Sequence, residues 1–377
     1  MKISNPFVIY GYVSPEYFCD RTEETSSVIS ALQNGRNLTL MSPRRMGKTG
    51  LIRNAFHHIA EQNTDVMCFY MDIYATNTLA DFVKVFGETV LGKLDSVGQK
   101  TIGVLTNVLT HCRITYTNDV LLGGGKVTLK FDKDDAPATL AQIFAYLGQA
   151  ERECFIAIDE FQQIEEYPEE NVEALLRTYV QQYPMLHFIF SGSKSHMMSA
   201  MFDSPKRPFY RSTEKVHLNV IPEKAYYDFA ARHLATNMTV LPEEIFHDIY
   251  QLFCGHTWYM QYMLNKLYEL SPAVVDKEAV EQCLRKIVES NTEDYQRLLR
   301  ILTSNQQQLL RAIASEGTVS AINSSAFINK YSLKGSSSVN KALAFLIDNE
   351  FVYRYEHGYE VYDRFMALWL VSRGQTP

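Results

Sequence analysis

The sequence predicts an α/β domain on a mostly parallel sheet, then an all-helical unit, then three helices closed by a β-hairpin. Three observations predict it. Apolar runs of strand length alternate with helical patterns through roughly the first 210 residues; β-branched runs thin out between Pro222 and about Ser290; after Asn291, short helices give way to two alternating segments.

Residues 37–41 (NLTLM) form a short apolar run, and Ser42, Pro43 and Gly47 break the pattern immediately after it. Leu51, Ala55 and Ile59 then recur every four residues beside Ile52 and Phe56, which reads as strand, loop, helix. Val66 to Ile73 is a second strand, with Asp72 near its C-terminal end, where ligands gather in open α/β sheets. Arg113 to Asp132 alternates around Gly123, Gly124 and Gly125 and fits an inserted β-hairpin. Cys154 to Ile158 and Leu186 to Phe190 are continuous apolar strands on either side of a helix near Val172 to Val180. Good helix formers fill Tyr226 to Ala235 and Tyr259 to Leu270. Helices at Asn305 to Ser315, Ser324 to Tyr331 and Ser336 to Asn349 precede a turn at His357 and Gly358, the pattern of a winged helix-turn-helix. A last helix, Arg364 to Val371, would pack Phe365, Leu368 and Trp369 against it. The expected division is residues 1–213 with the hairpin near 113–132, residues 214–292, and residues 293–377.

At 377 residues the chain exceeds what one core usually serves, so several domains are expected. Hydrophobic residues at 46%, with 23 Tyr and 21 Phe, exclude a disordered chain. A net charge of -7 argues against a surface devoted to nucleic acid, which needs clustered Lys and Arg. The six cysteines at 19, 68, 112, 154, 254 and 283 show neither a CxxC pair nor zinc-ligand spacing, so they read as reduced thiols. Met1 to Val13 lacks a continuous apolar core, and no stretch approaches the roughly 20 apolar residues of a membrane helix. A cytoplasmic protein with no membrane partner is expected.

The chemistry concentrates in Ser42-Pro43-Arg44-Arg45-Met46-Gly47-Lys48-Thr49, which matches the phosphate-loop pattern except that Ser42 stands at the first glycine. Backbone amides of such a loop wrap a phosphate at a helix N-terminus, where the helix dipole favours an anion. Lys48 would reach the β- and γ-phosphates, and the Thr49 hydroxyl would ligate Mg²⁺. Cys154 to Glu160 is an apolar strand that ends in two acids: Asp159 would hold Mg²⁺, and Glu160 would polarise the attacking water as general base. Ser191, at the tip of the next strand in Ser191-Gly192-Ser193, is a hydroxyl for the γ-phosphate or that water. The Asn-Lys pairs at 265, 329 and 340 have no Asp two places after the Lys, so ATP is favoured over GTP.

Pro43 to Thr49, Phe155 to Phe161 and Ser191-Gly192-Ser193 together resemble the archaeal-type ATPase family, within the AAA+ and STAND group of P-loop NTPases. The resemblance spans nearly the whole chain and implies a P-loop core, a helical lid and a C-terminal winged helix. It also implies that Phe18 and Arg21, in Tyr17-Phe18-Cys19-Asp20-Arg21, lie beside the adenine, and that Pro43, Arg44, Arg45, Met46, Gly47, Lys48, Thr49 and Gly50 bind the nucleotide. Phe209-Tyr210-Arg211 is similar to an aromatic-Gly-Arg element, so Arg211 would be a catalytic arginine contacting phosphate; Tyr210 stands where that element has glycine. Gly255-His256-Thr257 resembles a Gly-His-Pro element of the lid, which would bring His256 to the nucleotide. Asp72 is similar to an acid near that site.

The winged helix raises a second function class, an ATP-regulated DNA-binding protein. Residues 301–377 carry seven basic side chains against six acidic ones, a weak field for phosphate steering. The helix from Ser336 would commit Val339, Leu343, Leu346 and Ile347 to its core and turn Asn340 and Lys341 outward, which suits a protein partner as well as DNA. A third class is a nucleotide-binding scaffold without turnover, in which Glu160 awaits closure of the lid. The leading expectation is a MgATP-driven switch that couples nucleotide state to the lid and winged helix.

Overall fold

The computed structural model describes residues 3–94, 110–119, 124–149, 152–355 and 358–374. Gly123 and His357, expected at the tips of the two hairpins, lie outside the described residues. Pro6–Phe229 and Gly255–Trp258 make up one compact unit, and the remaining described residues make up the second. The helices assigned to a lid from sequence share the second unit with the C-terminal helices and hairpin; Gly255–Trp258 belongs with the sheet.

In the first unit, α1 (Thr22–Gln33), β1 (Leu38–Met41), α2 (Lys48–Gln62), β2 (Met67–Asp72) and α3 (Leu79–Leu94) are followed by the hairpin β3 (Arg113–Asp119) and β4 (Gly124–Lys130). Then come α4 (Ala136–Gly148), β5 (Cys154–Asp159), α5 (Val172–Gln182), β6 (Leu186–Gly192), α6 (Ser195–Asp203), β7 (Glu214–His217) and the start of α7 (Glu223–Ala235). The sheet order is β2-β5-β6-β1-β7, and every pairing in it is parallel. The acidic strand β5 is therefore not the immediate neighbour of β1, since β6 lies between them.

Helices cover both faces of the sheet, as a parallel sheet requires. On one face Phe155 and Ala157 of β5 pack with Leu38 and Leu40 of β1 and with Val28, Leu32, Leu51, Ala55 and Ile59 of α1 and α2. On the other, Cys154, Ile156 and Ile158 pack with Phe82, Phe86 and Val90 of α3 and with Leu140, Ile143 and Phe144 of α4. Alternate residues of one strand thus serve two cores, which is why β5 is apolar without a break until Asp159. Val127 and Leu129 of the inserted hairpin join the second core.

The second unit contains α8 (Glu243–Phe253), α9 (Thr257–Leu270, which begins within the first unit), α10 (Lys277–Ser290), α11 (Thr292–Arg300), α12 (Ser304–Glu316), α13 (Ser325–Lys330), α14 (Ser336–Asp348), the hairpin β8 (Val352–Tyr355) and β9 (Gly358–Val361), and α15 (Arg364–Gly374). The three helices and hairpin expected after Asn291 are present, with α11 in front of them. Thr303 caps α12 in a reciprocal capping box with Gln306. On α15, Phe365 and Trp369 are buried as expected; Leu368 is only half-buried, and Met366 and Leu370 complete the apolar face instead. No helix among the described residues is long and apolar enough to cross a membrane. None of the six cysteines is paired.

Candidate functional site

The chain leaves β1 at Met41 and enters α2 at Lys48 through a loop with two residues in left-handed conformation, Arg45 at φ 65° and Gly47 at φ 99°. Gly47 caps the helix, and its lack of a side chain is what permits that angle. Three side chains secure the loop. Arg21, itself buried, donates from Nη2 to Met46 O at 3.2 Å and from Nη1 to Glu24 at 2.8 Å. Arg45 lays its guanidinium 4.2 Å from the centre of the Trp258 ring, and Arg44 lies over Tyr74 at 5.7 Å. Phe18 packs on the first turn of α2 so closely that a Cβ at Gly50 would fall 2.8 Å from Phe18 Cε2.

Lys48 is 6% exposed, and its Nζ donates to Ser42 O at 3.0 Å and to Pro43 O at 3.2 Å. Burial pushes its pKa below the usual lysine value, opposed by the carboxylates of Glu160 and then Asp159. The ammonium therefore spans its own loop while the two acids draw on its charge.

Asp159 closes β5 and is 3% exposed. Its Oδ2 accepts from Thr49 Oγ1 at 2.7 Å and from Tyr70 OH at 2.8 Å, and its Oδ1 accepts from the Glu160 amide at 3.1 Å. Glu160 departs from the strand at φ 57°, and its Oε2 accepts from Gln162 Nε2 at 2.5 Å and from Ser193 Oγ at 2.7 Å. The adjacent acids therefore serve different partners. Ser191, opposite Leu40 of β1, is fully buried, and its Oγ has no hydrogen-bond partner among the described residues. Asp72 pairs in register with Asp159, and burial raises its pKa, with Asp159 and Glu160 adding to the rise.

Lys48, Thr49, Asp159 and Glu160 are thus one connected group, with Ser191 on the strand between their two elements. Phe18, Arg21 and Met46 support the loop and the start of α2. His256 is buried in the short segment that ends in Trp258, the residue beneath Arg45. Arg211 is exposed, and its described contacts are its amide to Phe202 O at 3.2 Å and its guanidinium over Tyr210; these do not join it to the group.

Sequence reasoning missed Tyr70, Gln162 and the direct bond from Ser193. Tyr70 carries a faint signal, since it lies two residues before Asp72 and so on the same face of β2.

The donor set fits a magnesium nucleotide. Mg²⁺ is usually held by one or two carboxylates with substrate phosphates and water, and Thr49 and Asp159 supply one hydroxyl and one carboxylate that already touch. The orphaned Ser191 hydroxyl, the buried ammonium and the left-handed glycine suit an anion at the same place.

A family model described as a probable winged helix domain matches residues 293–372. Among solved structures, the Walker-type ATPase of Pyrococcus abyssi superposes with a TM-score of 0.65 at 18% identity, covering 97% of this chain and 99% of that one. The ORC2 protein of Aeropyrum pernix, in ADPNP-ADP complexes, gives a TM-score of 0.57 at 14% identity, with 98% of each chain covered. The ORC1 protein of the same organism, in complex with DNA, gives 0.55 at 13% identity, with 98% and 96% covered. The chain has the fold of a Walker-type ATPase. Comparison with curated proteins finds no match. In this Walker-type fold, β1 and α2 flank the loop that matches the phosphate-loop pattern, β5 ends in the acidic pair, and residues 293–372 match the winged helix.

Proposed function

We propose that the chain binds and hydrolyses MgATP and works as a switch whose nucleotide state sets the position of the lid helices and winged helix. The bond from Thr49 to Asp159 at 2.7 Å carries this reading, because it joins the helix after the phosphate loop to the acid that ends a strand two places away. Lys48 binds the β- and γ-phosphates, while Pro43, Arg44, Arg45, Met46, Gly47 and Gly50 line the loop that receives them. Phe18 and Arg21 hold the adenine side. Thr49 and Asp159 would hold Mg²⁺, which neutralises phosphate charge when bound. Glu160 takes a proton from the attacking water, and Ser191 donates to the γ-phosphate or to that water. Arg211 contributes positive charge to the transferring phosphate, and His256 senses the nucleotide from the lid. Arg45 on Trp258 supports the coupling, because phosphate drawn into the loop competes for the same guanidinium that packs on the segment leading into α9.

Purified protein should turn over ATP. Glu160→Gln should abolish turnover and keep ATP binding, whereas Lys48→Ala should lose binding. A wild type that holds ATP without turnover, matching Glu160→Gln, would instead identify a scaffold. For the winged helix a protein partner is favoured over duplex DNA. Exposed Asn340 already accepts from Asn323 at 2.7 Å, and Lys330 is paired with Glu316 at 2.6 Å, which leaves Lys341 as the main exposed cation on α14. Duplex binding at low salt that Lys341→Ala weakens would reverse that preference.

A further inference from the structure

We propose that the cleft bounded by α2, the edge strand β2 and α3 is a second ligand site, for a small flat organic anion, and that it communicates with the nucleotide site through Tyr70. The cleft has a volume of about 640 Å³, within the size range of small-molecule sites. Its composition is unlike that of the chain as a whole. Arg53, His57 and Lys93 line it beside Tyr12, Phe56 and Tyr70, and among the described residues no Asp or Glu does, in a protein of net charge -7.

The charges are placed for an anion. Arg53 is exposed, makes no ion pair among the described residues, and lies over the Tyr70 ring with 4.4 Å between guanidinium carbon and ring centre. A guanidinium held against a ring face keeps N–H donors for a carboxylate, sulfonate or phosphate, in a forked arrangement that a lysine does not provide. Lys93 hydrogen-bonds the Cys68 carbonyl and brings a second positive charge. Burial pushes the Cys68 thiol up to about 12, so no thiolate offsets those charges. His57 lies 3.2 Å from Glu61, outside the lining, and is not counted among the anion-binding groups. The aromatic walls supply faces for a ring, with Tyr12 fixed by its hydroxyl on Asn54 at 3.0 Å.

Tyr70 makes the connection. The ring beneath Arg53 carries the hydroxyl that donates to Asp159 Oδ2 at 2.8 Å, and the same oxygen accepts from Thr49. An anion bound at Arg53 shifts the contact on the Tyr70 ring and with it the hydroxyl that shares Asp159 with Thr49. This coupling rests on the ATPase reading; the binding site does not.

The test titrates the full chain, without nucleotide, with the fluorescent probe anilinonaphthalene sulfonate and with its uncharged counterpart phenylnaphthylamine. Wild type should bind the sulfonate saturably and more tightly than the amine. Arg53→Gln should weaken the sulfonate about tenfold, the loss expected for one charge-assisted hydrogen bond, and leave the amine unchanged. Lys48→Ala should leave both unchanged. Equal sulfonate affinity in wild type and Arg53→Gln, equal affinity for the two probes, or loss of binding in Lys48→Ala would overturn the site. Saturating sulfonate should change ATP turnover of wild type about twofold or more and leave Tyr70→Phe, which still binds it, unaffected; an equal response in both would overturn the coupling. Sulfonate binding that depends on Arg53 in a chain without ATP turnover upholds the site and defeats the ATPase reading instead.

Discussion

Replacing Ser191 by alanine should make the nucleotide-free protein more stable and its hold on ATP weaker. The side chain is 0% exposed at the end of β6, and Oγ has no partner among the described residues. A hydroxyl buried without a hydrogen bond costs ~1–3 kcal/mol, and Ser191→Ala removes that cost while breaking no bond. Taking the low end, because alanine leaves a small gap, the gain is about 1 kcal/mol, or roughly 2–4 °C in Tm for a unit of this size. With MgATP the sign reverses. If Oγ donates to the γ-phosphate or the attacking water, wild type makes a charge-assisted bond worth ~1.5–3 kcal/mol that alanine cannot, which is about 10- to 150-fold in Kd. Thermal unfolding of both proteins across an ATP titration reads both effects, and the midpoints should cross as ATP rises. A variant no more stable than wild type without nucleotide would refute the argument from the orphaned hydroxyl, and equal ATP affinity would remove Ser191 from the site.

Gly47→Ala should lower the Tm of the nucleotide-free protein by roughly 2–8 °C in thermal unfolding. A Cβ there meets nothing within 4 Å, so the cost is the ~1–2 kcal/mol of a left-handed conformation and not a clash, and an unchanged Tm would refute it. Arg21→Ala deletes the bonds to Met46 O and Glu24 and should lower Tm and weaken ATP about tenfold; Arg21→Lys should recover little, since the forked geometry is what spans both partners. His187 is held below its ordinary value of 6.5 by burial, against the pull of Glu153 at 3.7 Å. As pH falls through that value the unfolded chain takes the proton first, so the folded state loses stability below about pH 6.5. Urea midpoints should therefore drop more for wild type than for His187→Gln between about pH 7.5 and 5, and parallel drops would refute the assignment.

The phosphate loop was legible because three local signals coincide there: an apolar strand, a Pro and Gly break, and a helix whose apolar face repeats every four residues. The strand ending in Asp159 and Glu160 was legible for a related reason, since a strand buried on both faces shows any charge at its end as a sharp boundary. Other elements left no such trace. β7 buries only Val216 of its four residues, so it shows neither an apolar run nor a clean alternation. α3 is apolar around much of its circumference, with Phe82, Val83, Phe86, Val90 and Leu91 buried, and Gly87, Gly92 and several valines weaken its helical signal. The bond from Tyr70 to Asp159 depends on β2 lying beside β5, and no local pattern contains a sheet order.

That sheet order also explains how two adjacent acids can serve two tasks. Asp159 is still in the strand, and extended backbone aims it back at Thr49 and Tyr70. Glu160 is the first residue beyond, and its left-handed backbone turns it toward Gln162 and toward Ser193 at the tip of β6. Had β5 been paired directly with β1, the β6 tip and its two serines could not lie between the phosphate loop and the acids. With β6 interposed, a hydroxyl from the same tip reaches Glu160 and another is left without a partner among the described residues, so under the proposed function a phosphate engaging Ser191 would bear on the strand tip that holds Glu160. Nucleotide binding and the positioning of Glu160 would then be linked through one short stretch of chain, with Ser191 toward the ligand and Ser193 on Glu160.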